Sequence, residues 1–186
     1  MSRCSLAGST IAFAVSLCLG AGSALAEKTD YTGPYAAAGF NLGYEIFENV
    51  PTPFQTALGT NLRAGYRPFS WLAVEGQFEY LSYEDADLDV AISGRAFTFF
   101  ANLKLPLLDG PIQPYLYGGV GMLRMDFDPN PQLGSGTGFA GRFGGGVDIY
   151  LSERLAFTTD VAWVNPTGEV DNFEQINWNI GFLARF

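Results

Sequence analysis

The chain has 186 residues with a formal net charge of −9, 15% aromatic residues and no histidine. The acidic balance makes nucleic acid an unfavourable partner, and the length is that of a single domain. The lack of histidine removes the side chain that most often serves as a general base.

The first 26 residues have the features of a secretory signal peptide rather than of a folded domain. Arg3 gives a positively charged start, residues 10–19 are apolar, and residues 24–26 form an A-x-A cleavage site. A membrane anchor would need about 20 apolar residues, which this segment does not reach. We therefore predict a mature domain over residues 27–186, and cleavage would remove both cysteines, so no disulfide is expected.

Eight later segments alternate apolar and polar residues with a period of two, which is typical of β-strands. The predicted strands cover residues 35–45, 57–67, 71–80, 96–105, 113–125, 139–150, 155–165 and 175–186. No apolar run among them is long enough for a membrane helix, so strands would have to span a bilayer. At ~3.3 Å per residue, each segment is long enough to cross a hydrocarbon band of roughly 25 Å when tilted.

The two faces of the predicted strands differ in chemistry. Charged residues share one face with glycine and asparagine, whereas aromatic residues share the other. A soluble barrel of the lipocalin type would place its apolar face inside. The pattern instead favours a lumen of small and polar groups with an apolar exterior. In 113–125 both faces carry apolar residues and glycine, so the assignment is ambiguous, and we favour Leu116, Val120 and Met122 outward.

The connectors between predicted strands alternate in length. The long connectors are 46–56, 81–95, 126–138 and 166–174, and the short ones are 68–70, 106–112 and 151–154. Outer-membrane barrels have long extracellular loops and short periplasmic turns. The sequence therefore predicts an all-β fold, an eight-stranded antiparallel up-and-down transmembrane β-barrel.

Three stretches carry a resemblance to a known family: WLAVEGQFEY at 71–80, PYLYGGVGM at 114–122 and IGFLARF at 180–186. They resemble the small eight-stranded outer-membrane barrels that include the OmpA transmembrane domain, OmpX and OmpW. The resemblance implies a location in the outer membrane of a Gram-negative cell, in contact with outer-membrane lipid and lipopolysaccharide. The last strand also resembles the signal that the barrel assembly machinery reads, and the residues that would carry this signal are Trp178, Ile180, Phe182 and Phe186.

Charged residues on the predicted inner face are expected to pair, because an unpaired buried charge is costly. The predicted lumenal charge network contains Arg63, Arg67, Glu75, Glu79, Lys104, Arg142, Asp148, Asp160 and Arg185, together with Glu45. Glu75 and Glu79 could in principle perform acid–base chemistry. Outer-membrane hydrolases with barrel folds resemble one another in using a histidine, so we predict no catalysis and no cofactor.

The long connectors hold ten of the 19 acidic residues. These are Glu48, Glu84, Asp85, Asp87, Asp89, Asp126, Asp128, Glu169, Asp171 and Glu174. Asp85, Asp87 and Asp89 resemble the start of a calcium loop, but Val90 replaces the turn glycine, so no dedicated metal site is predicted. Divalent cations that bridge the acidic loops to lipopolysaccharide phosphates are a further expectation.

The sequence therefore favours a structural or surface-interaction role, in envelope integrity or in adhesion through the loops. The alternative is a narrow, porin-like channel or a binding barrel for small molecules, hydrophobic ones included, as the resemblance to OmpW suggests.

Overall fold

The computed structural model describes residues 31–46, 56–84, 93–128, 135–171 and 173–186. Its strands are β1 (Gly33–Ile46), β2 (Ala57–Phe69), β3 (Leu72–Glu84), β4 (Ser93–Pro106), β5 (Ile112–Asp128), β6 (Gly136–Tyr150), β7 (Leu155–Pro166) and β8 (Glu174–Arg185). A 3₁₀-helix, Gly168–Val170, lies between β7 and β8. No described helix has the length and hydropathy needed to cross a membrane. The predicted signal peptide lies outside the described residues.

Each strand pairs antiparallel with its neighbour in sequence, and β8 closes the ring by pairing with β1. At this seam Asn41 lies opposite Asn179, and Gly39 lies opposite Gly181. The predicted all-β, eight-stranded antiparallel up-and-down barrel is confirmed. A closed ring leaves no unpaired strand edge, which is the condition for a sheet to cross a bilayer.

The side chains alternate between the lumen and the exterior along every strand. The exterior is apolar, and its members include Val120, which is 71% exposed. In β5 the residues favoured as outward, Leu116, Val120 and Met122, are all exposed, so the ambiguous strand is assigned correctly. The inner face of β5 carries tyrosines that the sequence did not place there, Tyr115 and Tyr117.

The strands extend further at one end of the barrel than the alternation predicts. The ladder between β3 and β4 continues to the pair of Glu84 and Ser93, and that between β4 and β5 to the pair of Ser93 and Asp128. Above the hydrocarbon region both faces of a strand can be polar, so the hydrogen bonds continue where the alternation stops.

Short turns at 70–71, 107–111 and 151–154 lie at one end of the barrel, and the longer connectors lie at the other. Since short turns face the periplasm in outer-membrane barrels, we call these the inner and outer ends. At the inner end the register of β2 shifts between Tyr66 and Phe69. Pro68 lies in this interval and has no N–H to donate to the ladder.

Aromatic side chains lie on the exterior near both ends. Tyr66, Trp71 and Phe186 lie at the inner end and are exposed. Tyr44 and Trp163, which both pair with Ile176, lie towards the outer end. Amphipathic rings at two heights are typical of the two membrane interfaces.

Candidate functional site: the barrel lumen

The lumen is filled by side chains in successive layers, and the outermost layer is apolar. Its buried residues are Ala57, Leu81, Tyr83, Ala96, Phe100, Leu123, Met125, Ala140, Val164 and Val170. The expectation of a lumen made only of small and polar groups was therefore incomplete. We call this layer the outer plug.

The connector after β7 folds over the outer plug. Val170 in the 3₁₀-helix is 1% exposed and Phe173 packs against the same cluster. Thr167 donates its backbone N–H to the carbonyl of Phe139 at 2.7 Å, which holds the connector against β6. A side chain at Gly138 would meet the Thr167 carbonyl oxygen at 2.0 Å, so glycine permits this close approach. The sequence predicts a long extracellular loop at 166–174, and these contacts with the plug were not predicted.

Glu79 is the centre of the middle layer and is 0% exposed. The Arg142 guanidinium donates to its Oε1 at 3.2 Å and forms an ion pair with it. The same carboxylate accepts hydrogen bonds from neutral side chains on four strands. These donors are Asn61, Gln77, Thr98, Asn177 and Asn179. A carboxylate with this many donors is held in one fixed position.

Asp160 forms a second centre beside Glu79. Its Oδ2 lies 2.8 Å from Arg63 Nη2 in an ion pair. The hydroxyls of Tyr117 and Tyr115 donate to the same carboxylate at 2.7 and 3.2 Å, and Asn179 Nδ2 donates to it at 3.0 Å. Asn179 also contacts Glu79, so the two carboxylates belong to one network.

A third ionic cluster lies one layer closer to the inner end. Lys104 Nζ lies 2.7 Å from Asp148 Oδ2 and 3.6 Å from Glu75 Oε1. The Tyr35 hydroxyl donates to Glu75 at 2.6 Å, and Lys104 also lies over the ring of Tyr115 at 3.7 Å. The ammonium is therefore neutralised by two carboxylates and an aromatic face.

Arg67 and Arg185 lie at the inner end and differ from the other buried cations. Neither forms an ion pair with a carboxylate of the described residues. Arg67 donates to Gln113 Oε1 at 2.7 Å and to the Ser70 carbonyl. Arg185 donates to the Thr32 carbonyl at 2.6 Å and to another lumenal side chain. The sequence placed both residues in the lumen but did not distinguish them from the paired cations.

The nine residues of the predicted charge network therefore all lie buried in the lumen, and seven of them form ion pairs. The side chain of Glu45 is outside the described part. The tyrosines that complete the network were not predicted. The inward-facing glycines beside them leave the space that their rings occupy. A Cβ at Gly65 would lie 2.5 Å from the Tyr35 ring, and one at Gly144 would lie 2.9 Å from the Tyr117 ring.

The four residues of the predicted assembly signal lie on the exterior of β8 and at its end. Trp178, Phe182 and Phe186 are exposed, and Ile180 is half-buried. Recognition of these four residues by the barrel assembly machinery stays a prediction. The Asp85, Asp87 and Asp89 motif lies outside the described residues.

The lumen offers little free volume. A cavity of about 10 Å³ opens at the inner end, which is room for about one water molecule. The charged side chains in its wall are Arg67, Lys104, Asp148 and Arg185. Across the described strands and turns, no group of three or more histidine, cysteine, aspartate or glutamate side chains is arranged to hold a metal ion. The arrangement is that of a packed, charged core.

The closed ring, its apolar exterior and its filled lumen define a small transmembrane β-barrel. The family model described as the outer membrane protein beta-barrel domain matches residues 11–186. The chain belongs to this family and is a protein of the outer membrane.

Several solved structures share the fold. Ail, the attachment invasion locus protein of Yersinia pestis, aligns with a TM-score of 0.63 at 15% identity over 83% of this chain and 99% of that chain. Neisserial surface protein A aligns with a TM-score of 0.64 at 16% identity over 83% and 98%. OprG from Pseudomonas aeruginosa aligns with a TM-score of 0.60 at 16% identity over 87% and 99%. At such identities the likeness shows the fold alone. A comparison with curated protein sequences finds no match.

Proposed function

We propose that this protein is a non-conducting outer-membrane barrel with a structural or surface-interaction role, in envelope integrity or in adhesion through its acidic outer loops. The observation that supports this proposal most strongly is the filled lumen. Ion-paired layers around Glu79, Asp160 and Lys104 occupy its centre, and the outer plug covers them. An eight-stranded barrel has an interior just wide enough for its side chains to fill.

The alternative is a narrow channel or a binding barrel for small, hydrophobic molecules. Passage would need a continuous path through the outer plug, where Leu81 and Phe100 are fully buried. The cavity at the inner end has room for about one water molecule, which is far below the size of a small-molecule site. The packing therefore supports the non-conducting role.

Conductance in planar lipid bilayers distinguishes the two roles. We expect the purified protein to give no resolved channels, because the plug and the ionic layers leave no continuous water path. Reproducible single-channel steps from the unmodified protein would contradict the proposal.

A matched pair of variants makes this measurement informative. Phe100→Ala with Leu123→Ala removes two large side chains of the outer plug, and Phe99→Ala with Met122→Ala removes two from the lipid-facing side of the same strands. We expect the first pair of substitutions to raise the conductance of the bilayer and the second pair to leave the barrel non-conducting.

We also propose that the protein is not an enzyme. The outer membrane enzyme PagL shares the fold with a TM-score of 0.52 at 15% identity, so the architecture alone is compatible with catalysis. In this chain there is no histidine, and the lumenal carboxylates Glu75, Glu79, Asp148 and Asp160 are engaged by donors. A lipid-hydrolysis assay that showed turnover by the purified protein would contradict this part of the proposal.

The negative charge of the outer loops determines which kinds of surface they would contact. Ail has been crystallised with sucrose octasulfate, a heparin analogue and a polyanion. Here Glu169 and Asp171 in the last outer connector are exposed, and the outer connectors together with the strand ends beside them hold ten acidic residues. Such loops repel polyanions and favour cationic surfaces, or the phosphates of lipopolysaccharide bridged by divalent cations.

Chelation tests the bridging. We expect lipopolysaccharide binding by the purified barrel to fall when Mg²⁺ and Ca²⁺ are removed with a chelator, and to return when Mg²⁺ is restored. Lipopolysaccharide binding that does not change on chelation would contradict the proposed cation bridge. The conductance result would not be affected.

A further inference from the structure

The inner end of the lumen holds two arginines that share one tyrosine. The Cζ atoms of Arg67 and Arg185 lie 5.9 and 5.4 Å from the centroid of the Tyr31 ring. The two side chains are 3% and 7% exposed, so water screens them poorly. Two like charges held around one ring repel each other unless an anion lies near both.

The buried carboxylates of the lumen form ion pairs and hydrogen bonds with residues other than these two arginines. Asp148 pairs with Lys104 at 2.7 Å, Glu75 accepts from Tyr35 and contacts Lys104 at 3.6 Å, and neither forms an ion pair with Arg67 or Arg185. The other buried carboxylates belong to the ion pairs of the middle layers. Neither arginine has a carboxylate within ion-pair distance among the described residues, whereas Asp109 and Asp148 attract Arg67 from further away. The cavity wall carries three cations, Arg67, Lys104 and Arg185, and one carboxylate, Asp148, so its net charge is positive.

Both guanidinium groups also line the cavity of about 10 Å³. Arg67 donates from Nε, Nη1 and Nη2 to Phe69, Gln113 and Ser70, and Arg185 donates from Nη1 and Nη2 to Tyr150 and Thr32. A guanidinium group has five N–H donors, so both side chains keep N–H groups beyond these bonds. The cavity accepts one oxygen atom of an anionic group and excludes a nucleotide or a sugar ring. The cavity lies at the end with the short turns, which faces the periplasm in outer-membrane barrels, so the rest of the ligand would remain in water.

We propose that this inner mouth is a binding site for an oxyanion, a phosphate or a carboxylate group held between Arg67 and Arg185 at the small cavity that both side chains line. Arginine binds these groups with paired N–H donors that match two oxygens. The site is independent of the surface role of the outer loops, because it lies at the opposite end of the barrel.

The oxyanion has two sources. One is a soluble periplasmic anion, and the other is a carboxylate of this chain, because Asp30 directly precedes Tyr31 in the sequence. The test therefore uses the wild-type barrel and the Asp30→Asn variant, both folded in detergent micelles. Each is titrated with inorganic phosphate at constant ionic strength set by chloride, and thermal unfolding is followed by tryptophan fluorescence.

We expect a saturable rise in Tm of roughly 2–4 °C with phosphate relative to chloride. A rise in the wild type identifies a soluble oxyanion, and a rise only in Asp30→Asn identifies the chain's own carboxylate as the occupant. No rise in either protein overturns the site. Arg185→Gln should abolish the response, whereas Arg154→Gln, which changes an exposed arginine in the turn at the same end, should keep it. An unchanged response in Arg185→Gln also overturns the proposal.

A direct measurement covers the case in which Arg185→Gln does not fold. The ³¹P line of phosphate should broaden in the presence of whichever of the two proteins gave the thermal response, and excess acetate should sharpen it again by competition. Broadening that acetate does not reverse, or no broadening, counts against an oxyanion site.

Discussion

Glu79 shows how a single residue can hold the lumen together. Its carboxylate is fully buried, pairs with Arg142 and accepts from five neutral side chains. Among the described residues Arg142 forms an ion pair with no other carboxylate, so the two residues depend on each other. Breaking one side of a buried pair is costly because the remaining charge stays buried without compensation.

We expect Glu79→Gln to lower the free energy of unfolding by about 3–5 kcal/mol, since it leaves Arg142 buried and unpaired. Urea unfolding in lipid vesicles, followed by tryptophan fluorescence, measures the change. Glu153→Gln in the exposed inner turn is the control and should change stability by less than about 0.5 kcal/mol. The double variant Glu79→Gln with Arg142→Gln should lose less than the two single losses added together. Equal effects of Glu79→Gln and Glu153→Gln would show that the network does not stabilise the barrel.

At the scale of the element, the seam between β1 and β8 depends on the close approach of two glycines. A Cβ at Gly39 would lie 2.3 Å from the Ile180 carbonyl oxygen and 2.7 Å from Gly181 Cα. Both atoms belong to the backbone and cannot move aside without separating the strands. The seam joins the first strand to the last, so the whole ring depends on it.

We expect Gly39→Ala to destabilise the barrel by about 1–3 kcal/mol, because the added methyl group overpacks the seam. Gly141→Ala is the matched control, since a Cβ there meets nothing within 4 Å. Urea unfolding of both variants under the same conditions makes the comparison. A Gly39→Ala barrel as stable as Gly141→Ala would mean that the seam is less closely packed than the geometry indicates.

The end of β8 gives a second prediction for this element. Phe186 is 82% exposed and contributes little to packing, so Phe186→Ala should fold normally in detergent. If the strand carries an assembly signal, the same variant should reach the outer membrane at a lower level in cells. Phe99→Ala, which removes an exposed aromatic residue from β4, is the control. Equal membrane levels of the two variants would contradict the assembly role.

For the whole molecule, the closed ring predicts resistance to detergent. All eight strands have two partners, so unfolding must break ladders on both sides of a strand at once. We expect the unheated protein to migrate differently from the boiled protein on a denaturing gel, with urea-unfolded protein as the marker of the open chain. Identical migration of heated and unheated samples would contradict a barrel that resists the detergent.

Much of this architecture could be predicted because alternation is a local property. The period of two in residues 175–186 assigns Trp178 and Phe182 to one face without knowledge of any partner strand. The lengths of the connectors then fix the up-and-down order. The sequence alone therefore determined the strand number, the faces of the strands and the outer-membrane class.

The contacts inside the lumen were decided only by the tertiary structure. Asn61 and Asn179 are 118 residues apart in sequence and bond at 2.7 Å because β2 and β8 both flank β1 in the closed ring. Which charges meet depends on the register and tilt of all eight strands, and this information is not local. The same geometry leaves Arg67 and Arg185 without an ion pair to any carboxylate in the described part of the chain, although their sequence pattern matches that of the paired Arg63.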